Sequence, residues 1–353
     1  MSHISAALAR NNDVRLAQWA PPGDVDARVE SATTPSEAAW LAMLMQQGGI
    51  SHWLRSRPVS GALAAWKLTR LLRSAYRRRD NIDLYHVNWL QCALPLPANG
   101  KPALITVLGN DMRLLRWPMM RAALRRAMRA RNVAICPNAS WMETPLREAF
   151  GDRAMVAPVP FGIDPRWYAI PRSAGTLQRP PRWLAVTRLT ANKLGPLFEW
   201  SEPLFRDGKR ELHLFGPMQE QVDIPAWVHY HGSATPEQLA NEWFPGAQGL
   251  ITLSRHAEGR PQVMLEAMAS ALLIVASRMP AHADIVADGI TGCLCDEPQD
   301  YANALTSLEE PATNLRMGAA ARSWTGREIG TWDDCAARYV KIYRQLLERP
   351  AHG

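Results

Sequence analysis

The chain has 353 residues, of which 47% are apolar and 21% charged, with a net charge of +7. This length exceeds what a single hydrophobic core usually serves, so two domains are expected. The composition is that of an ordinary soluble globular protein, and no apolar run approaches the roughly 18 residues a membrane-spanning helix needs, which excludes such a helix.

The first residues, Met1-Ser-His-Ile-Ser-Ala-Ala-Leu, have neither the basic start nor the long apolar core of a signal peptide. A cytoplasmic protein is therefore expected. The five cysteines are odd in number and scattered, and read as small apolar residues in a reducing compartment. Residues 1–165 carry 21 Lys+Arg against 12 Asp+Glu, whereas residues 166–353 carry 19 against 21. The positive excess thus belongs to the first half.

Apolar strand-like runs are predicted at 14–19, 83–88, 103–108, 132–136 and 154–159. Two basic stretches interleave with them, at 66–79 and 113–131. Both mix arginine with Leu, Met, Trp and Tyr at helical spacing. Either they are solvated helix faces over an apolar core, or they lie against anionic lipid headgroups. No zinc spacing or Gly-flanked aromatic motif supports nucleic acid. A Pro-rich stretch at 158–167, followed by Pro171, Pro180 and Pro181, marks a domain boundary near residue 165. Further strands are predicted at 183–187, 211–215, 228–231, 249–253 and 272–276, and a long amphipathic helix at 332–347. Continuous apolar strands, each followed by a helix, imply parallel sheets covered on both faces. Two such doubly wound domains place a ligand at the carboxyl ends of their strands, in a cleft between them.

The most informative segment runs from Glu258 to Ala269. It follows one apolar strand and precedes another, so it is the loop and helix of a βαβ unit. Pro261 suits the first helical turn, where a missing N–H costs nothing. The N–H groups of that turn can seat an anion in the loop holding Glu258. Glu266 lies about one and a half turns inside the helix. Two carboxylates bracketing a phosphate-binding helix start suit a ligand with hydroxyls on both sides of its phosphates, which is the layout of a nucleotide sugar. Arg188, at the carboxyl end of the 183–187 strand, and Lys193 can reach one site from a single loop. There they would clamp a diphosphate and neutralise it as it departs.

These blocks occur in order: Arg188…Lys193, Leu212–Gly216, His231-Gly232, Glu258-Gly259-Arg260-Pro261…Leu265-Glu266, and Ala283–Gly292. In the first half stand Thr106–Asp111, Pro137–Ser140 and Pro160–Asp164. The set resembles the retaining GT-B glycosyltransferases of family four, with their Glu-x7-Glu motif, over nearly the whole chain. The resemblance implies an α/β fold of two Rossmann-like domains facing a central cleft. These would be an acceptor-side domain at 1–165, a nucleotide-sugar domain at 166–330, and a final helix at 331–353 crossing back to the first. It implies that Glu258 binds donor-sugar hydroxyls and that Gly259 and Arg260 offer backbone N–H groups to sugar and phosphate. Glu266 would hold the ribose, and Arg188 with Lys193 the diphosphate. Gly216, His231 and Pro261 fall within the same donor-binding blocks.

Such enzymes transfer a hexose from a nucleotide diphosphate sugar to a hydroxyl with retention, using neither metal nor further cofactor. The basic first half points to a lipid-linked or glycan acceptor of surface polysaccharide or glycolipid assembly, reached from the inner face of a bacterial membrane. Arg73, Arg77–Arg79, Arg121–Arg131 and Trp117 would make that contact. A non-catalytic nucleotide-sugar-binding scaffold and a nucleotide-sugar epimerase are the alternatives.

The family opens with a strand and a Gly-rich loop, whereas this chain starts in what reads as the following helix. Either its start is misplaced downstream or it does without that strand. Leu108 stands where the family often has histidine, leaving His86, Asn110 and Asp111 as polar lining. Asp111 either acts in catalysis or caps the helix beginning near Met112. His229 and His231, at i and i+2, lack a third ligand and read as structural. Ser140 and Ser254 have no hydrolase-elbow context.

Overall fold

The computed structural model describes residues 2–349 except 24, 80 and 257. They form two compact units, Met1–Pro160 with Trp332–Gly353, and Phe161–Thr331.

In the first unit, β1 (Ala17–Gln18) and β2 (Glu30–Ser31) form a small parallel pair. The main sheet is β3 (Tyr85–Asn88), β4 (Ala103–Val107), β5 (Val133–Pro137) and β6 (Met155–Val156), all parallel and in that order. Every residue of β4 and β5 is buried, as expected of strands covered on both faces. On β3, Tyr85 and Val87 enter the core, while His86 and Asn88 take the opposite face. That face meets the final helix, Trp332–Glu348. His86 Nδ1 lies 2.5 Å from the Tyr343 hydroxyl and its Nε2 2.8 Å from Thr106 Oγ1, which in turn lies 3.1 Å from the Tyr339 hydroxyl. Burial pushes the His86 imidazole down to about 4 and keeps it neutral. Asn132 donates its amide to the carbonyls of Leu346 and Arg349, closing the helix end.

The run read as a strand over 14–19 pairs only at Ala17 and Gln18, because its partner offers two residues. The basic stretches are only partly solvated. Arg78 pairs with Glu37 at 2.8 Å and Arg79 with Glu30. Arg125 pairs with Asp152, and buried Arg131 donates to the carbonyls of Lys101 and Pro97. Burial alone would raise Glu37, but hydrogen bonds from Arg78, the Thr34 N–H and the Trp19 indole outweigh it and hold the carboxyl at about 2.

The second unit is a six-stranded parallel sheet. Its strands are β7 (Arg182–Val186), β8 (Glu211–Phe215), β9 (Val228–Tyr230), β10 (Gly249–Thr252), β11 (Leu273–Ser277) and β12 (Cys293–Cys295), in the order β9-β8-β7-β10-β11-β12. Alternate residues of one strand feed separate cores. Leu184, Leu250 and Ile274 join Met264, Met268 and Phe244 on one face, whereas Trp183, Ile251 and Val275 join Phe205 and Tyr301 on the other. The period-2 pleat thus survives inside runs that are apolar throughout.

Gly216 ends β8 at φ +137°, where a Cβ would stand 1.7 Å from the carbonyl oxygen of Thr187 at the end of β7. Gly216→Ala is predicted to destabilise the protein by about 2 kcal/mol or more through strain and backbone displacement. A lowered midpoint in urea unfolding with unchanged slope is the expected readout, and an unchanged midpoint would show that the strand ends part without cost.

Candidate functional site

Strand order in the second unit reverses between β7 and β10. The loops that follow these two strands therefore diverge and leave a crevice at the carboxyl ends. Both sequence segments singled out above fall there. The loop after β7 is strapped to the loop after β8. Leu189 N–H donates to the Pro217 carbonyl at 3.0 Å, the N–H groups of Gln219 and Glu220 donate to the Leu189 carbonyl at 3.1 Å, and Ala191 N–H donates to Glu220 at 2.9 Å. Gly195 adopts φ +55°, and a Cβ there would stand 2.0 Å from the Leu253 carbonyl oxygen. Only glycine lets this loop lie against the end of β10. Arg255 N–H adds a bond to the Asn192 carbonyl at 2.8 Å.

That docking brings Lys193 and Glu258, 65 positions apart, into an ion pair through Nζ and Oε1. Their side chains are 13% and 19% exposed, so the pair is largely desolvated and each charge depends on the other. Arg188 is exposed, with Gln219 Oε1 3.5 Å from its Nη1. Arg260 is committed elsewhere, its guanidinium paired with Asp284, each side chain only 6% exposed. What Arg260 can turn toward a ligand is its backbone. Pro261 is not in the first helical turn. It precedes the helix Gln262–Ala269 as its N-cap, with extended ψ and no side-chain cap. The proline still fixes the approach to the helix, but the turn open to an anion begins at Gln262.

Glu266 lies on that helix. Desolvation, with a smaller push from Asp164, raises its carboxyl to about 7, against a small opposing pull from Arg166. A carboxyl so raised is suited to a partner that donates hydrogen bonds to it. Gly216 and His231 lie at the ends of β8 and β9. The His231 ring is occupied: its Nε2 is 2.9 Å from His213 Nδ1, and it stacks on Phe215. His213 is the third imidazole that the pair at 229 and 231 was expected to lack. It stacks on both and hydrogen-bonds Glu211 at 3.1 Å, with Trp243 packed alongside. Burial lowers both His213 and His231. Among the described residues no group of three could hold a metal.

The sequence reading missed His282. It is fully buried beyond β11, its Nδ1 2.8 Å from the Ser277 carbonyl oxygen, while its Nε2 has no partner. Burial lowers this imidazole, with Glu258 and Lys193 close enough to act on it in opposite senses. Nothing in its local sequence distinguishes it from a surface-loop histidine.

Asp111 belongs to the first unit, after β4. It is 2% exposed and accepts the N–H groups of Leu108, at 2.9 Å, and Leu90. The bond from Leu108 N–H is that of the cap reading, with Asp111 as the third residue of a 3₁₀ helix that runs from Gly109 to Arg116, and burial pushes its carboxyl up to about 7.

Residues 181–310 match the family described as Glycosyl transferases group 1. A D-inositol 3-phosphate glycosyltransferase of Corynebacterium urealyticum is 28% identical over 139 residues, which are 38% of this chain and 32% of that protein. An alpha-maltose-1-phosphate synthase of Mycobacterium tuberculosis is 39% identical over 93 residues, 24% of each chain. The chain thus matches about a third of the length of these relatives or less. Among solved structures, sucrose-phosphate synthase from Thermosynechococcus elongatus superposes with TM-score 0.63 at 18% identity, over 80% of this chain and 78% of that one. HepE of Anabaena, in complex with UDP and glucose, gives 0.62 at 14% identity, over 79% and 81%. The fold is the two-unit Rossmann-like GT-B class.

Two outcomes follow from the geometry. Lys193→Ala is predicted to destabilise more than the double variant Lys193→Ala/Glu258→Ala relative to Glu258→Ala, with a coupling of about 1–3 kcal/mol in a double-mutant cycle; additivity would show that the pair is not formed. Glu266 has a folded-state value above its unfolded one, so the protein loses stability as pH rises from about 4.5 to about 7. Glu266→Gln should flatten that part of the stability profile by at most about 3 kcal/mol, measured by chemical unfolding at stepped pH.

Proposed function

We propose that the protein transfers a hexose from a nucleotide diphosphate sugar to a hydroxyl acceptor with retention of configuration. The observation that carries this reading is the Lys193–Glu258 pair at the strand-order reversal of a domain matching the group 1 glycosyl transferases. A solved structure of the same fold holds UDP and glucose, which favours a UDP-sugar donor.

In this reading the diphosphate takes up Lys193 and the exposed Arg188, and its arrival releases the Glu258 carboxylate to the hexose hydroxyls. The uncapped start of the 262–269 helix adds N–H groups to the phosphate. Glu266 accepts hydrogen bonds from the ribose. The bond from the anomeric carbon to the phosphate oxygen breaks, with its electron pair leaving on the diphosphate. The acceptor oxygen bonds to the anomeric carbon from the same face, and its proton passes to the departing phosphate oxygen. Arg188 and Lys193 stabilise the charge that develops there. Because two side-chain cations and a helix start face the leaving group, we assign no metal to the reaction. Turnover should persist in a strong chelator. Asp111 serves to hold its loop.

The acceptor in this proposal is a glycan or glycolipid at an anionic membrane surface. Arg73, Arg77, Arg121, Arg126 and Arg129 are exposed, as are Trp117 and Met119 at 70% and 87%. Arg78, Arg79, Arg125 and Arg131 are left out of that surface because protein partners already hold them. Among the described residues no helix is long and apolar enough to cross a membrane, so the contact proposed is peripheral. Each basic side chain contributes about 1 kcal/mol at such a surface, giving association that salt reverses.

Arg188→Ala is predicted to lower turnover by about 100-fold, roughly 3 kcal/mol. The measurement is release of nucleoside diphosphate from a panel of nucleotide sugars, and full activity would remove Arg188 from the mechanism. Co-sedimentation should recover the protein with anionic but not neutral vesicles at low salt. Equal recovery with both would leave the arginines as solvated surface.

A further inference from the structure

The helix Pro58–Arg77 turns apolar side chains to two sides, where a surface helix needs only one. One side packs on its own unit through Gly61, Ala64, Leu72 and Ala75, all buried. Gly61 lies so close to the preceding helix, Gly49–Ser56, that a Cβ there would stand 2.6 Å from the backbone nitrogen of Leu54. The other side carries Val59, Leu63, Trp66, Arg70, Arg73 and Arg77, spaced 4, 3, 4, 3 and 4 positions apart. All six are exposed, the apolar three at 75%, 63% and 59%. A single exposed apolar side chain needs no explanation, whereas a stripe of them does.

The spacing indicates what would cover it. Alternating steps of four and three are the seam of two helices packed side by side, and this one runs for about 27 Å. The stripe is one side chain wide. Ser60, Lys67 and Ser74 border it on one side, Ala62 and Thr69 on the other. A helix lying in a membrane interface needs a broader apolar face than that. The stripe is also polarised, apolar in its first half and cationic in its second. Because its spacing reads the same from either end, it complements an antiparallel copy of itself. Val59 then meets Arg77 of the second copy, Leu63 meets Arg73, and Trp66 meets Arg70. A parallel pair would set arginine against arginine, whereas the antiparallel one sends the two cationic halves to opposite ends. Arginine stems lie on apolar side chains, with their charged heads at the rim. The central contact already exists within one chain, where the Arg70 guanidinium lies over the Trp66 ring, 4.7 Å from its centroid.

We infer that this chain pairs with a second copy of itself along the seam of helix Pro58–Arg77, the two helices running antiparallel about a two-fold axis. Such a contact closes on itself, since both copies use the same surface. With each seam side chain covering roughly 80 Å², the two copies together bury about 1,000 Å². That is the lower bound of a specific interface and makes a weak, reversible dimer. The heads of Arg73 and Arg77 stay at the rim, so pairing is compatible with the vesicle contact proposed above. It rests neither on that contact nor on the transfer reaction.

The test is sedimentation equilibrium of the full chain over about 1–100 µM, at about 50 and 500 mM salt, with Leu63→Lys and Leu63→Glu beside wild type. Wild type should pass from monomer to dimer over this range. Its dimer fraction should hold or rise with salt, the opposite of vesicle association. Leu63→Lys sets a cation against Arg73 of the second copy and should weaken pairing at least 10-fold. Leu63→Glu is equally polar but sets a carboxylate against that arginine, so at low salt it should pair as well as wild type or better. Leu63 is exposed, so both variants should keep the wild-type midpoint in urea. A wild type that stays monomeric at the highest concentration overturns the inference. A dimer that dissolves in salt does so too, as do lysine and glutamate variants that weaken equally, since the antiparallel register would then be wrong. A monomer recovered on vesicles only while Leu63 is intact would make lipid the occupant instead.

Discussion

The approach of two loops, made possible by Gly195, governs the second unit's chemistry. With no Cβ, residue 195 lets the loop after β7 lie directly on the carbonyl of Leu253. Lys193 therefore reaches Glu258 at the point where strand order reverses. A largely desolvated ion pair is stable only while both partners stay. In the reaction proposed above such a pair suits exchange, because a phosphate would compensate the lysine as the carboxylate turns to new donors. The resting pair keeps the site charged without leaving either charge alone. Near it stands His282, which burial holds in the neutral form with an unpartnered ring nitrogen. The local medium is thus one in which a diphosphate's charge counts heavily.

Much of this was legible in the amino-acid sequence, for identifiable reasons. Five of the second unit's six strands lie within a residue of their expected bounds, whereas the three-residue β12, Cys293–Cys295, is too short a run to have been expected. The Glu258–Glu266 segment was readable because a loop between apolar strands has few jobs for two carboxylates. Other features lay beyond one-dimensional reading. For Arg260 only a backbone role was expected, and the fold alone shows where its side chain goes, to Asp284, 24 positions on. His213 stood as an unremarkable strand residue, yet adjacent strands stack it on His229 and His231. Pro261 was placed one step too far into its helix, an error within the usual ambiguity of helix ends.

In the first unit, the arginine-rich stretches show where composition misleads. Counting charges treats Arg77 and Arg78 alike, although both are exposed and only Arg78 closes on Glu37. Arg131, the last of its run, is buried and donates to two carbonyls. Arginine with five donors on a long stem serves as readily for tying loops as for meeting phosphate. Trp89, at φ +69° just after β3, carries no local signal either. Nothing in Asn88-Trp89-Leu90 announces positive φ, which arises from the way β4 and the following turn hold both sides of the residue.

The first unit is built from two stretches of chain with the whole of the second unit between them. His86 and Thr106 close on Tyr343 and Tyr339, and Asn132 on Leu346, across more than 200 residues. During synthesis the β3–β6 sheet emerges with one face lacking its cover, and must wait while residues 161–331 are made. The second unit, contiguous in sequence, has no such wait. The order of completion is thus reversed relative to the order of translation: the later unit can finish first, and the earlier one last. An apolar sheet face held open for that interval is an invitation to chaperone binding or to mispairing. The selective pressure this creates falls on the ribosome's timescale, not on the finished molecule.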